Sequence, residues 1–144
     1  MLSKNKKKVI FPKKKSVGPR PWGQEFLLAL ISKKMTLKLL KIKKGKMGGL
    51  QYHRKKNECG VLISGKLKVR YDNGSGKLKS KILKKGDSFY FPPGAVHQEI
   101  ALTNCQIIEA STPHMNDRVR VEKKYGLHNI SGLKTTKLSQ IKFI

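Results

Sequence analysis

GKMGGLQYHRKKNECGVLISG, residues 45–65, and GDSFYFPPGAVH, residues 86–97, contain the most informative pattern in the chain. Alternate residues of a strand face the same side, so Gln51 and His53 both point into a barrel while Tyr52 points away. The turn-like RKKN stretch lets the next strand bring Glu58 back beside them. His97 arrives from a remote strand after a Pro-Pro-Gly corner, whose residues mark a turn rather than a central strand. We therefore expect these polar side chains to converge.

The four converging side chains are Gln51, His53, Glu58 and His97. One amide oxygen, two imidazoles and one carboxylate leave open positions on a divalent metal, which is typical of a catalytic rather than a structural site. We predict a divalent metal cofactor, zinc first, with manganese, cobalt or iron as alternatives. A lone His near a lone Glu is usually an ordinary polar residue, but here the glycines and both spacings match together.

The spacings resemble the two motifs of the cupin superfamily. The first reads G-x5-Gln51-x-His53-x4-Glu58-x6-Gly65, and the second reads G-x5-Pro92-x-Gly94-x2-His97. Gln51 stands where His is common, and Ala101 stands where the family usually has Asn. The resemblance implies an all-β, single-domain jelly-roll barrel, also called a double-stranded β-helix.

Four pieces in order sharpen this resemblance: RPWG at 20–23, LQYH at 50–53, FPPGAVH at 91–97 and DRVRVEKKYG at 117–126. Together they are similar to the cupin domain of type II mannose-6-phosphate isomerases, found alone or at the end of mannose-1-phosphate guanylyltransferases. That family implies the same four ligands, with Gln ordinary at position 51, and a fold completed by Trp22, Tyr125 and Gly126. The chain departs from it at Arg54-Lys55-Lys56, at Cys59-Gly60 and at Leu127, where the family has Arg.

The resemblance implies a metal-dependent isomerase that interconverts an aldose and a ketose phosphate, with mannose 6-phosphate as substrate. The substrate's phosphate needs cations, for which Lys55, Lys56 and Arg70 are the candidates. The general base is not assigned; Glu99, Tyr90 and His114 are options. Two alternatives stay open: another metal-dependent cupin reaction, such as sugar-nucleotide epimerisation or iron-dependent oxygen chemistry, and a non-catalytic module that binds sugars or anions.

Composition sets the remaining expectations. The 144 residues include 33 Lys and Arg against 8 acids, a net charge of +25 that attracts phosphorylated ligands and polyanions. The lysines are spread along the chain and no aromatic-rich RNA motif accompanies them, so nucleic acid is a possible partner but not the favoured one. Two cysteines and no membrane-spanning apolar run predict a cytoplasmic protein without a membrane partner.

The predicted organisation is a basic disordered tail at 1–16, the cupin domain at 17–130 and an extension at 131–144. Alternating segments predict strands at 25–31, 35–42, 61–64, 67–71, 78–83, 88–91, 96–102 and 106–110. We further expect a hairpin at Ser64-Gly65, a stronger one at 72–76, and a surface ion-pair ladder from Asp117 to Glu122. Cys59 is expected to pack, and exposed edge strands favour a homodimer.

Overall fold

The computed structural model of the chain describes residues 8–31, 33–115 and 117–127. Within them, eleven strands and one short 3₁₀ turn account for the regular structure. The strands are β1 (Lys15–Ser16), β2 (Gly23–Ile31), β3 (Met35–Ile42), β4 (Gln51–His53), β5 (Glu58–Ser64), β6 (Leu67–Asp72), β7 (Lys79–Leu83), β8 (Ser88–Phe91), β9 (Val96–Ala101), β10 (Cys105–Ser111) and β11 (Arg118–Arg120), and the 3₁₀ turn is Glu122–Tyr125.

The described strands form two antiparallel sheets. One has the order β1-β2-β3-β10-β5-β8 and the other the order β11-β4-β9-β6-β7. Strands distant in sequence are neighbours in both sheets, as in a jelly roll. The predicted all-β jelly-roll barrel is therefore confirmed.

The turn between β5 and β6 differs from the prediction. The two strands belong to different sheets, so Ser64-Gly65 is a corner and not a hairpin. Gly65 has φ 91°, and a Cβ at this position would lie 2.2 Å from the Asn104 carbonyl oxygen. Only glycine permits both this backbone angle and this close approach. The predicted hairpin at 72–76 is confirmed, because β6 pairs with β7 across it.

The inner face of the six-stranded sheet has an apolar half and a polar half. Facing residues of β3 and β10 show the division, since Leu40 pairs with Ile107 whereas Lys38 pairs with Glu109. All four side chains are buried. The apolar half joins the main core, whose buried members are Leu40, Ile42, Leu62, Leu67, Val69, Leu83, Phe91, Ala101, Cys105 and Ile107. The polar half surrounds a cavity.

The N-terminal end of the described chain attaches to the barrel. Lys15 and Ser16, the last residues of the predicted tail, pair with β2 as strand β1. Residues 1–7 and the predicted extension at 131–144 lie outside the described residues. No helix in the described part of the chain has the length and apolarity needed to cross a membrane.

The predicted surface ion-pair ladder at 117–122 is correct only in part: Arg120 pairs with Glu122, but the pair is not on the surface, because β11 packs along β4 and Glu122 is buried. Glu122 is only 1% exposed and accepts hydrogen bonds from the Leu50 backbone N–H and from Arg120. The Tyr125 hydroxyl donates to Asp72 Oδ2 at 2.6 Å, which ties the 3₁₀ turn to the β6–β7 hairpin.

The packing predicted for Cys59 is wrong: its side chain is exposed, because it alternates with the inward-facing Glu58.

A buried ion-pair cluster links β2, β3 and the segment before β2. Glu25 accepts hydrogen bonds from Arg20 Nε at 2.7 Å and from Lys38 Nζ at 2.8 Å. Burial alone would raise the pKa of the Glu25 carboxyl, but Lys38 and Arg20 outweigh it and lower this pKa from 4.5 to about 2. The cluster therefore stabilises the fold while Glu25 is ionised.

We predict that Glu25→Gln lowers the free energy of unfolding by about 3 kcal/mol above pH 5. Because the folded-state pKa lies below the unfolded-state value, the difference from the wild type should shrink as the pH falls through 4.5 and vanish near 2. Urea unfolding at a series of pH values measures this difference in the free energy of unfolding. Gln24→Ala, on the exposed side of the same strand, is the control. A Glu25→Gln deficit that is constant with pH would contradict the assignment.

Candidate metal centre

Three buried side chains from three strands converge inside the barrel. His53 Nε2 lies 3.2 Å from Glu58 Oε1, and His97 Nε2 lies 3.4 Å from Glu58 Oε2. One ligand atom from each residue lies within 4.8 Å of the other two. A single cation placed between them could contact all three.

Local structure explains this convergence. Strand β4 points Gln51 and His53 to the same side, and Gln51 lies directly opposite His97 of β9. The Pro-Pro-Gly corner before β9 is fixed to β4, because the Gly94 N–H donates to the His53 carbonyl oxygen at 2.8 Å. Glu58 enters from the other sheet as the first residue of β5. Gln51 lines the same cavity as the other three residues.

The hydrogen bonds of both imidazoles fix which nitrogen faces the cavity. His53 Nδ1 lies 3.0 Å from Asp117 Oδ1, and His97 Nδ1 lies 2.9 Å from the Ala95 carbonyl oxygen. A carboxylate and a carbonyl only accept, so each Nδ1 carries the hydrogen. In each neutral ring, Nε2 then has a free lone pair. A ligand histidine in a metal site has this same arrangement.

Asp117 orients the His53 ring through the hydrogen bond to Nδ1. Its Oδ2 accepts the backbone N–H groups of Lys55 at 2.7 Å and Lys56 at 2.8 Å. Burial raises the pKa of the Asp117 carboxyl, but these backbone donors and His53 lower it further, so the net shift is downward. Asp117 is therefore an ionised acceptor that positions both the His53 ring and the loop leading to Glu58.

The donor set fits a divalent cation. His53 Nε2 is buried and makes no hydrogen bond within the described structure, although Glu58 is near. Burial alone would raise the pKa of Glu58, yet the neighbouring Lys56 ammonium, 2.9 Å away, and the two histidines hold it well below its usual range. Two imidazole nitrogens and a carboxylate thus face one another in a buried space, and this donor set suits a divalent cation such as zinc.

The cavity around these ligands has a volume of about 80 Å³ and a largely polar lining. Beyond the ligands it is lined by Glu25, Lys38, Lys56, Glu99, Glu109 and Arg118, with Trp22 among the apolar residues. Burial, together with the charge of Glu58, raises the pKa of Glu109 to about 8. Burial and the nearby Glu109 also raise the pKa of Glu99 well above its ordinary value.

The structure separates the three predicted phosphate-binding cations. Lys56 is buried in the cavity and bonded to Glu58. Lys55 is exposed and does not line the cavity. Arg70 alternates with the buried Leu67 and Val69, which places it on the outer face of β6. Only Lys56 therefore lies near the ligands.

Of the three options for a general base, Glu99 alone lines the cavity. The Tyr90 hydroxyl donates to Asn57 Oδ1, and the exposed His114 bonds to the Thr112 hydroxyl. Glu99 Oε1 is buried without a hydrogen-bond partner among the described residues. This oxygen is free to contact a ligand.

Sequence reasoning missed five cavity or support residues: Glu25, Lys38, Glu109, Asp117 and Arg118. A signal existed for Glu25 and Glu109, which are isolated acids within apolar strands of a chain with only 8 acidic residues. Lys38 carries no such signal, since Lys41 of the same strand looks equivalent and faces outward.

Comparison with known proteins supports the fold. A model of the cupin domain matches residues 38–114, more than half of the chain. No match was found among curated proteins. KdgF from Halomonas sp. is 20% identical, with a TM-score of 0.61, and the match covers 69% of this chain and 86% of KdgF.

Two longer proteins share the same barrel. CapF from Staphylococcus aureus is 17% identical with a TM-score of 0.66, covering 75% of this chain and 31% of CapF. Oxalate decarboxylase from Bacillus subtilis is 19% identical with a TM-score of 0.66, covering 81% of this chain and 34% of that protein. At these identities the likeness concerns the fold alone, and none of the three singles out mannose-6-phosphate isomerases. Together with the family match, the two-sheet barrel shows that the chain belongs to the cupin family.

Proposed function

We propose that this cupin is a metal-dependent enzyme that isomerises a phosphorylated hexose, with mannose 6-phosphate and fructose 6-phosphate as the reacting pair. The convergence of His53 Nε2, His97 Nε2 and the Glu58 carboxylate supports the metal. The choice of reaction rests on the resemblance of the segments at 20–23, 50–53, 91–97 and 117–126 to type II mannose-6-phosphate isomerases.

Each ligand has a distinct part in this proposal. His53, Glu58 and His97 would hold the cation, and Gln51 would supply a neutral fourth ligand from the same cavity wall. A divalent cation held by these residues would supply Lewis-acid chemistry at the sugar's C1 and C2 oxygens. Asp117 and the Ala95 carbonyl keep the imidazoles oriented throughout.

Glu99 is the residue placed to move the proton between C1 and C2. Its Oε1 lies in the cavity without a partner, and its pKa is raised by burial and by Glu109. A carboxyl with a raised pKa is a stronger base than an ordinary glutamate and returns the proton readily. The enediol route requires both the removal of a proton from one carbon and its return to the other.

The size of the cavity favours a second candidate function. A volume of about 80 Å³ holds two or three waters, far less than the several hundred Å³ of a typical ligand pocket. Lys55 and Arg70, two of the predicted phosphate cations, lie elsewhere. Other metal-dependent chemistry on a smaller ligand, or binding of a small anion without catalysis, is the alternative.

The metal assignment predicts tight binding of one divalent ion per chain. Dialysed protein titrated with Zn²⁺, Mn²⁺, Co²⁺ or Fe²⁺ should show it by calorimetry, and His97→Ala should weaken it about 100-fold or more because it removes one of three charged or imidazole ligands. His114→Ala removes an exposed histidine outside the cavity and should leave affinity unchanged. Equal affinities of both variants would contradict the site.

The reaction assignment predicts that metal-loaded protein converts mannose 6-phosphate to fructose 6-phosphate in a coupled assay. Glu99→Gln should lower kcat about 100-fold with little change in KM, because it removes the proton carrier and keeps the shape. Tyr90→Phe, which alters an exposed hydroxyl bonded to Asn57, is the control. A background rate from protein shown to hold metal would eliminate the isomerase and leave the metal site intact.

The position of Lys56 predicts that replacing this lysine increases the affinity for the metal. Its ammonium lies 2.9 Å from Glu58 Oε1 and repels a dication bound to the same carboxylate. Lys56→Gln should therefore bind metal about tenfold more tightly than the wild type, while the metal-free form loses stability because Glu58 loses its counter-ion. Lys55→Gln makes the same charge change at the adjacent exposed residue and should alter neither the metal affinity nor the stability. Weaker binding by Lys56→Gln would show that Lys56 supports the metal.

A further inference from the structure

Arg118 is a cationic side chain of the cavity that has no part in the proposed mechanism. It is the first residue of β11 and lies directly opposite His53 of β4. Facing residues of an antiparallel pair project from the same side of the sheet with their Cβ atoms about 5 Å apart. Its guanidinium therefore extends into the cavity beside the His53 ring.

Arg118 has a donor to spare. Its Nε is buried and has no hydrogen-bond partner among the described residues. The carboxylates that act on it electrostatically, Glu25 and Glu58, are each engaged by other cations: Glu25 by Arg20 and Lys38, and Glu58 by Lys56. A buried N–H donor without a partner is unfavourable unless a ligand accepts its hydrogen bond.

We propose that Arg118 forms an oxyanion subsite beside the proposed metal and binds a carboxylate or phosphate group of the substrate. This inference rests on the metal site of the proposed function, and it assigns to that site a small anionic ligand of the kind that the second candidate function requires. The guanidinium offers a planar fork of N–H donors that matches such groups. A ligand held there can place a second oxygen between His53, Glu58 and His97.

The cavity volume favours a carboxylate over a phosphate. About 80 Å³ accommodates a carboxylate with a neighbouring hydroxyl, whereas a hexose phosphate must leave most of its length outside. A 2-hydroxy acid satisfies both subsites, with its carboxylate on Arg118 and its hydroxyl directed towards the metal ligands. The phosphate of a sugar is the other source of the same chemistry.

The test measures anion binding by calorimetry with lactate and with inorganic phosphate, on wild-type protein loaded with Co²⁺ or Zn²⁺ and on metal-free protein. Arg118→Gln should weaken binding of the preferred anion about tenfold or more without weakening metal binding. Arg70→Gln removes the same charge from the outer face of the barrel and should bind as the wild type does. Dependence of lactate binding on Arg118 identifies a carboxylate subsite, and dependence of phosphate binding alone identifies a phosphate subsite.

A stability measurement separates this role from a structural one. Without ligand, Arg118→Gln should unfold at the same temperature as the wild type or a higher one, because the substitution removes a buried Nε donor that has no partner among the described residues. Loss of stability, or failure to fold, would show that Arg118 has a structural partner and would overturn the inference. Anion binding that does not depend on Arg118 would also overturn it. If no metal binds but anions still require Arg118, the subsite stands and the metal-dependent function fails.

Discussion

The convergence of two imidazole nitrogens and one carboxylate inside the barrel is the constraint on which the site depends. Hydrogen bonds to Asp117 and to the Ala95 carbonyl hold both Nδ1 atoms as donors, so both Nε2 atoms face Glu58. All three side chains are buried, so the field between these groups is weakly screened. The buried Glu58 carboxylate needs a counter-ion, and the Lys56 ammonium contacts it at 2.9 Å. The lysine therefore stabilises the metal-free site and competes with a metal.

Charge is sorted between the inside and the outside of this barrel. The chain has 33 basic and only 8 acidic residues, yet Glu25, Glu58, Glu99 and Glu109 all line the cavity. Acids that are rare overall are thus concentrated where a dication would bind, while lysines cover the exterior. The interior attracts cations, and the outer field raises the local concentration of anionic ligands. Arg118 lines this acid-rich cavity and, in the proposed subsite, binds an anionic ligand there.

Period-two alternation explains how much of this could be predicted from the sequence. It located β3 and β8 to the residue, and it placed Gln51 and His53 on one face because residues two apart in a strand must share a side. The corner at Gly65 could not be distinguished from a hairpin, since both need glycine at positive φ; only the approach of Asn104 separates them.

Contacts between distant residues were beyond the same reasoning. Asp117 contacts His53 across 64 residues of sequence, and the three-residue strand that follows it is too short to show by alternation which side faces inward. Lys56 was predicted at a phosphate, on charge alone, although the buried carboxylate of Glu58 determines its position. Sequence spacing defined the ligands, but the counter-ions around them depend on three-dimensional proximity.

Anomalous diffraction from crystals of the zinc- or cobalt-loaded protein tests the central claim most directly. The account predicts one peak within about 2.0–2.2 Å of His53 Nε2, His97 Nε2 and a Glu58 oxygen, with Lys56 Nζ displaced from that carboxylate. A loaded crystal that shows no peak there, and in which Lys56 still contacts Glu58, would contradict it.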